Sequence, residues 1–206
     1  MMKQYGFYID SSKCTGCKTC QLSCKDVKDL GVDRSFRRVY EYAGGNWVEE
    51  NGTYRQDVFA YYTSIACNHC DEPACAKVCP SGAMHKRKED GFVIVDEDVC
   101  IGCKHCANAC PYGAPQFDAE QGHMTKCDGC YERVAEGLEP ICVGSCPLRA
   151  LEFGPISELR KKYGTNADVA PLPSSLITKP NIVIKPNRHA RPTNDTTGHL
   201  ANPKEV

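Results

Sequence analysis

The chain has 206 residues, a formal net charge of −1, and 41% hydrophobic residues in a count that includes 16 Cys. Near-neutral charge argues against a nucleic-acid binder, and the short basic runs Arg37-Arg38, Lys86-Arg87-Lys88 and Lys161-Lys162 read as solvated faces. No segment approaches the roughly 18 to 20 apolar residues needed to span a bilayer, and without its Cys only about a third of the chain is hydrophobic, a thin core for this length.

In chain order, Met1-Met-Lys-Gln-Tyr-Gly-Phe-Tyr8 has no apolar h-region and no twin Arg, so it does not read as an export signal. Residues 5–10 predict a strand. Cys14, Cys17, Cys20 and Cys24 follow at x2, x2, x3 spacing, and helical spacing runs through Leu22, Val27 and Leu30 to Gly31. Residues 32–66 carry no Cys. Alternation over residues 34–42, the Asn51-Gly52 turn signal and the strand formers of residues 58–65 predict an inserted β-hairpin, with Trp47 in ordinary packing. Cys67, Cys70, Cys75 and Cys79 form a second group, followed by Pro80. Within the groups, His69 and His105 read as spacers. His85 is weighed as a proton-coupling residue beside a cluster against a surface role. Cys100, Cys103, Cys106 and Cys110 precede Pro111, and Cys127, Cys130, Cys142 and Cys146 precede Pro147. Residues 131–137 and 155–163 predict short helices, the second stopped by Gly164. Beyond residue 165, six prolines break any helix, and only residues 181–185 resemble a strand. This tail reads as disordered, or as an extended arm laid across a partner.

The third group, C-x2-C-x2-C-x3-C-P, has the bacterial ferredoxin spacing. Three thiolates two residues apart can hold three corners of one 4Fe-4S cube, while the fourth turns away to a different cluster. Gly102 is expected to let the backbone pass close to the inorganic core. Zinc ribbons use separate C-x2-C pairs, and a disulfide framework does not call for a repeated Cys-Pro ending. Sixteen thiolates at four per cube make four 4Fe-4S clusters with none left over. Lys18, Lys104 and Lys126 lie beside the groups, either raising cluster potentials or simply at the surface.

The chain also repeats outside the cysteines. Residues 7–10 and 92–96 are strand-like leads into the first and third groups, Thr15-Gly-Cys-Lys18 matches Ile101-Gly-Cys-Lys104, and Pro80-Ser-Gly-Ala83, Pro111-Tyr-Gly-Ala114 and Pro147-Leu-Arg-Ala150 are related turns. The fold class is α+β: two ferredoxin-like modules with a β-hairpin insertion and a C-terminal arm. Residues 1–31 are a first cluster segment and 32–66 the hairpin. Residues 67–120 form the module of groups two and three, 121–154 complete the module begun by the first segment, and 155–206 are the helix and arm. Metal-binding energy becomes folding energy in such a chain, so the iron-free form is expected to be largely unfolded. There is no dinucleotide fingerprint, no group short of a ligand and no local nucleophile signature. An electron-transfer subunit or a free polyferredoxin is therefore favoured over an enzyme, with a zinc-structured interaction protein as a further class.

Tyr5-Gly-Phe-Tyr-Ile-Asp10, Cys14-Thr-Gly-Cys-Lys-Thr-Cys20, the run from Phe36 to Gly45, Cys79-Pro-Ser-Gly-Ala-Met-His-Lys86, Gly122-His-Met-Thr-Lys-Cys-Asp-Gly-Cys-Tyr131 and Lys179-Pro-Asn-Ile-Val-Ile-Lys-Pro186, together with the four Cys groups, resemble the iron-sulfur subunit of bacterial anaerobic dimethyl sulfoxide reductase. The resemblance implies a heterotrimer. A membrane anchor subunit oxidises menaquinol, this subunit relays electrons, and a molybdopterin catalytic subunit reduces S- or N-oxides. It also implies a peripheral position on the inner membrane, at the periplasmic face after co-export with the catalytic subunit, or in the cytoplasm without export. The alternative within this class is the equivalent subunit of a formate, polysulfide or selenate enzyme. In related nitrate reductases Trp replaces one cluster Cys; that position is Cys103 here, so four cubic clusters are implied. Spacing does not say which group completes which cluster. The family pattern implies Cys14, Cys17, Cys20 with Cys146; Cys24 with Cys127, Cys130, Cys142; Cys67, Cys70, Cys75 with Cys110; and Cys79 with Cys100, Cys103, Cys106.

Overall fold

A computed structural model describes residues 3–206; Met1 and Met2, the start of the stretch considered as an export signal, lie outside the described residues. The chain runs β1 (Tyr5–Asp10), α1 (Thr19–Val27), β2 (Arg38–Gly44), β3 (Trp47–Glu50), β4 (Thr53–Gln56), β5 (Phe59–Ile65), α2 (Ala74–Lys77), β6 (Met84–Lys86), β7 (Val93–Val95), α3 (His105–Ala109), β8 (Gln116–Phe117), β9 (Met124–Thr125), α4 (Tyr131–Ala135), α5 (Ile141–Gly144), β10 (Leu151–Pro155), α6 (Ile156–Tyr163), β11 (Ile182–Lys185) and β12 (Gly198–Leu200). Short helices are interspersed with small, mostly antiparallel sheets, and β2 to β5 run as four successive strands, which is α+β content.

β1 is the middle strand of a three-stranded sheet. β10 pairs with it antiparallel, placing Phe7 opposite Phe153, and β11 pairs with it in parallel, placing Ile9 opposite Ile184. Both faces of β1 are covered, which is why Phe7, Tyr8 and Ile9 are buried in succession instead of alternating. β10 follows the fourth Cys group, so this sheet joins the first group to the fourth. In the same way β6, after the second group, pairs with β7, before the third, and Met84 faces Val95.

Between the first two groups, β2 and β5 pair from Arg38–Ile65 to Gly44–Phe59. The chain continues outward as the β3–β4 ribbon, whose residues are all exposed. Asn51 and Gly52 close it with φ of 54° and 77°, the twist that a two-residue hairpin turn needs. Trp47 is not packed as expected: it is 66% exposed on β3. The stretch after the third group forms the β8–β9 pair.

The tail needs correction. Residues 165–206 are not disordered: they lie across their own chain. Val169, Ala170, Leu172, Ile182, Val183 and Ile184 are buried, and β12 extends the β2–β5 sheet. Tyr61 donates its hydroxyl to the carbonyl of Ala170 at 2.7 Å. The prolines prevent helix but leave extended backbone, which two sheets then capture.

Candidate metal centre

All sixteen Cys are free thiols. Cys14, Cys17, Cys20 and Cys146 line one cavity of about 370 Å³, with Ile9, Val39 and Leu151 as its apolar wall. Cys24, Cys127, Cys130 and Cys142 line a second of about 280 Å³. Cys79, Cys100, Cys103 and Cys106 line another of about 280 Å³, with Met84 and Met124. Burial, and then the neighbouring thiols Cys67, Cys110 and Cys70, push the Cys75 thiol up to about 12, so these four also stand together. Each quartet takes three thiols from one loop and the fourth from a distant one. Among the described residues no three Cys, His or acidic side chains converge on a single-ion site. Thiols spread around apolar cavities fit a cube that is itself the centre of the site. Sixteen such thiols accommodate four 4Fe-4S clusters.

Local backbone explains the loops. Gly16, Gly102 and Gly129 stand one residue before a Cys in three groups, each with φ between 65° and 74°. Gly102 has no space for a Cβ, which would strike the carbonyl oxygen of Gly122. Its role is a left-handed backbone and close packing of the chain. After the Cys-Pro ending, Gly82, Gly113 and Arg149 are left-handed too. That turn brings an amide back to the thiol: Met84 N donates to Cys79 Sγ and Ala150 N to Cys146 Sγ, both at 3.3 Å. Met124 N reaches Cys100 Sγ at 3.4 Å. Such N–H···S bonds raise cluster potentials.

Burial also pushes Cys14 and Cys106 up to about 11 and Cys24 and Cys70 to about 12, with neighbouring thiols adding to the rise. Without iron these thiols hold their protons at neutral pH. Loading must therefore expel protons, and it is favoured as pH rises. Two exposed cysteines mark the outer quartets: Cys17 in the first and Cys103 in the last. The quartet of Cys24 is buried throughout, and only Cys110 of the Cys67 quartet is partly open.

Among the flanking cations, Lys18 pairs with Glu205, Lys104 lies 3.9 Å from the centroid of the Phe117 ring, and Lys126 is buried. Lys126 Nζ donates to the carbonyls of Val93 and, at 2.8 Å, Cys127. Arg37 and Arg38, read as a solvated face, are 1% and 6% exposed. His105 and His85 are exposed; His85 Nδ1 lies 3.1 Å from the Ala83 carbonyl.

His69 is more than a spacer. It is 0% exposed and holds φ 43° where the other three groups have Gly. Its Nδ1 accepts from Val93 N–H at 3.0 Å, so the neutral ring carries its proton on Nε2, 4.0 Å from Cys127 Sγ. Burial, and then the charge of Lys126, keeps the ring neutral. His69 thus links the second group to the fourth. Alignment of the four C-x2-C loops carries the signal: His in a left-handed glycine position needs a reason.

A family model described as a 4Fe-4S dicluster domain matches residues 58–156, and one described as a 4Fe-4S binding domain matches residues 11–33. The chain is 76% identical to YnfG of Escherichia coli (strain K12), a probable anaerobic dimethyl sulfoxide reductase chain, over 100% of both sequences. It is 74% identical to the B chain of the anaerobic dimethyl sulfoxide reductase of the same strain, again over 100% of both. To the B subunit of the sulfite dehydrogenase of Allochromatium vinosum it is 37% identical, over 76% of this chain and 71% of that one.

Proposed function

The chain belongs to the family of anaerobic dimethyl sulfoxide reductase B chains, the iron-sulfur electron-transfer subunits, and from that premise we propose that it carries electrons from a quinol-oxidising membrane anchor subunit to a molybdopterin catalytic subunit that reduces dimethyl sulfoxide or related S- and N-oxides. The ligand sets are the four quartets above: Cys14, Cys17, Cys20, Cys146; Cys24, Cys127, Cys130, Cys142; Cys67, Cys70, Cys75, Cys110; and Cys79, Cys100, Cys103, Cys106. Bound there, the clusters supply one-electron carriers.

The observation that carries this reading is the order of the quartets. Cys20 of the first acts electrostatically on Cys142 of the second, and Cys127 of the second on Cys67 of the third. Cys75 of the third shares an apolar cluster with Cys106 of the fourth. The four therefore form a line, buried in the middle and reaching the surface at Cys17 and Cys103. A line with two open ends suits a relay between two partners. The protein itself holds the sulfurs, excludes water from the inner quartets and aims backbone N–H groups at the ligands. Beside Cys103, Ile101 is 67% exposed; beside the first group, Leu22 is 69% exposed. No helix is long and apolar enough to cross a membrane among the described residues, so on this reading the anchor is a separate chain, with this one peripheral on the inner membrane.

The experiment is anaerobic isolation of the tagged chain from its native membranes, followed by elemental analysis. About sixteen iron atoms per chain together with molybdenum, and quinol-driven reduction of dimethyl sulfoxide, are expected. The same iron without molybdenum would indicate a free polyferredoxin, and zinc in place of iron would overturn the reading.

A further inference from the structure

Arg37 enters β2 from the loop after the first helix, and its side chain is among the largest fully buried in the molecule. Its Nη1 donates to the carbonyl of Ser64 at 3.1 Å and its Nη2 to Cys142 Sγ at 3.3 Å. Its Nε has no partner. The guanidinium lies over the Phe7 ring, 4.8 Å from the centroid. Apart from Cys142 Sγ none of these contacts can carry a negative charge, and among the described residues no carboxylate pairs with it.

A guanidinium cannot shed its proton to escape burial, and a buried charge without an opposite charge is not tolerated. Once iron is loaded, the anions at hand are the ligating cysteine thiolates. Burial opposes the charge on Arg37, while Cys142, Cys20, Cys127 and Cys24 favour it and prevail. Cys20 belongs to the first quartet; Cys142, Cys127 and Cys24 belong to the second. No thiol of the third or fourth quartet is among the groups that act on it most. The side chain therefore stands between the first two cluster sites: it touches Cys142 of the second directly, and Ser64, whose carbonyl it binds, has its Oγ 3.3 Å from Cys20 Sγ of the first.

We propose that Arg37 is the shared counter-cation of the first two clusters, a positioning residue that raises the reduction potential of both. Reduction adds negative charge beside a fixed cation in a dry interior, where the attraction is weakly screened. The reduced form of each neighbouring cluster is stabilised, so the two lie at higher potential than their ligands alone would set. Because both clusters share the cation, adding an electron to one weakens its help to the other. The proposal rests on the electron-relay reading and its ligand sets.

The test is redox potentiometry, followed by electron paramagnetic resonance, on the whole membrane complex carrying Arg37→Gln or Arg37→Lys. Signals are first assigned to quartets in the wild-type complex with Cys17→Ser and Cys130→Ser. With Arg37→Gln, the midpoints of the first two quartets should fall while the other two stay in place. Arg37→Lys should hold both midpoints close to wild type. Unmoved or rising midpoints in Arg37→Gln, or an equal shift of all four clusters, would overturn the counter-cation. If Arg37→Gln loads no iron while Arg37→Lys loads it with near-wild-type midpoints, the need for the charge is upheld. If neither loads, a guanidinium fork and not a charge is required, and the proposal fails. Fewer than four cluster signals in the wild-type complex would break the relay reading itself. Four signals that ignore Arg37→Gln would break only this proposal.

Discussion

The strand that leads into the first Cys group, β1, is hydrogen-bonded along both edges, to β10 and β11. The strand that leads into the third, β7, is bonded along one edge, to β6. Around β1 the core gathers Phe7, Ile9, Val39, Tyr61, Ile65, Val143, Leu151, Ile182 and Ile184. Around β7 it is made of Met84, Val93 and Met124 with Cys75 and Cys106. The same unit of strand, loop, helix and Cys-Pro turn thus folds with two kinds of support. The first module has an apolar core of its own, much of it brought by the hairpin and the tail. In the second, two of the five buried residues are ligands, against three of nineteen (Cys20, Cys142 and Cys146) around β1, so the inorganic group must serve as a larger part of the core. The general expectation that iron-free protein is unfolded becomes specific: it should hold for the second module first.

Iron removal is the strongest way to break that contrast. After chelation, amide hydrogen exchange should become fast across β6 and β7 while β1 and β11 keep substantial protection. Equal loss of protection in both modules would end the idea of unequal cores. Next in size are core truncations. Ile184→Ala, in the buried edge strand that the tail adds to the β1 sheet, should cost about 2–5 kcal/mol in the iron-loaded protein, measured by denaturant unfolding. Met84→Ala should destabilise the loaded protein too, yet leave the chelated protein unchanged, because the site it fills is already open. A cost that persists after chelation would show that the second module folds without iron.

A smaller effect is expected where the tail joins the modules. Asn181 Nδ2 donates to the carbonyl of His69 at 2.8 Å and to Asp71 Oδ1 at 2.9 Å, and its own backbone N–H reaches the Asn68 carbonyl at 2.9 Å. Asn181→Ala strands buried acceptors of the second group, at about 1–3 kcal/mol, and should speed exchange in the Cys67 loop more than in β1. Smallest of all is Glu72→Gln, which removes an exposed partner of Lys77 and Lys179. Its melting temperature should match wild type. A clear drop would mean that the tail is held by surface charge and not by Asn181.

The two modules also differ in how far they are legible. The strand before each loop, the short helices and the Cys-Pro turns follow from local rules, since spacing and turn residues act over a few positions. Local rules misread the tail because they weigh its prolines and not its apolar residues. Val169, Leu172 and Ile182 gain their meaning only from a sheet edge built by residues far away in the chain. Trp47 is misread for the opposite reason: an aromatic residue in a strand is ordinarily packed, and nothing local shows that this ribbon has no second layer. Arg37-Arg38 looks like any basic pair on a surface, and only the fold shows that the neighbours of Arg37 are thiols.

What the sequence determined alone was the chemistry. Sixteen Cys in four groups, three of them ending in Cys-Pro, specify the cofactor type and the number of clusters, because metal ligation depends on donor identity and short-range spacing. What only the tertiary structure decided was which thiols meet, which quartets lie inside and which surface, and which charges stand among them. Those depend on long-range pairings such as β1 with β10 and β6 with β7, and on burial, which converts an ordinary arginine or histidine into part of the electrostatic setting of a cluster.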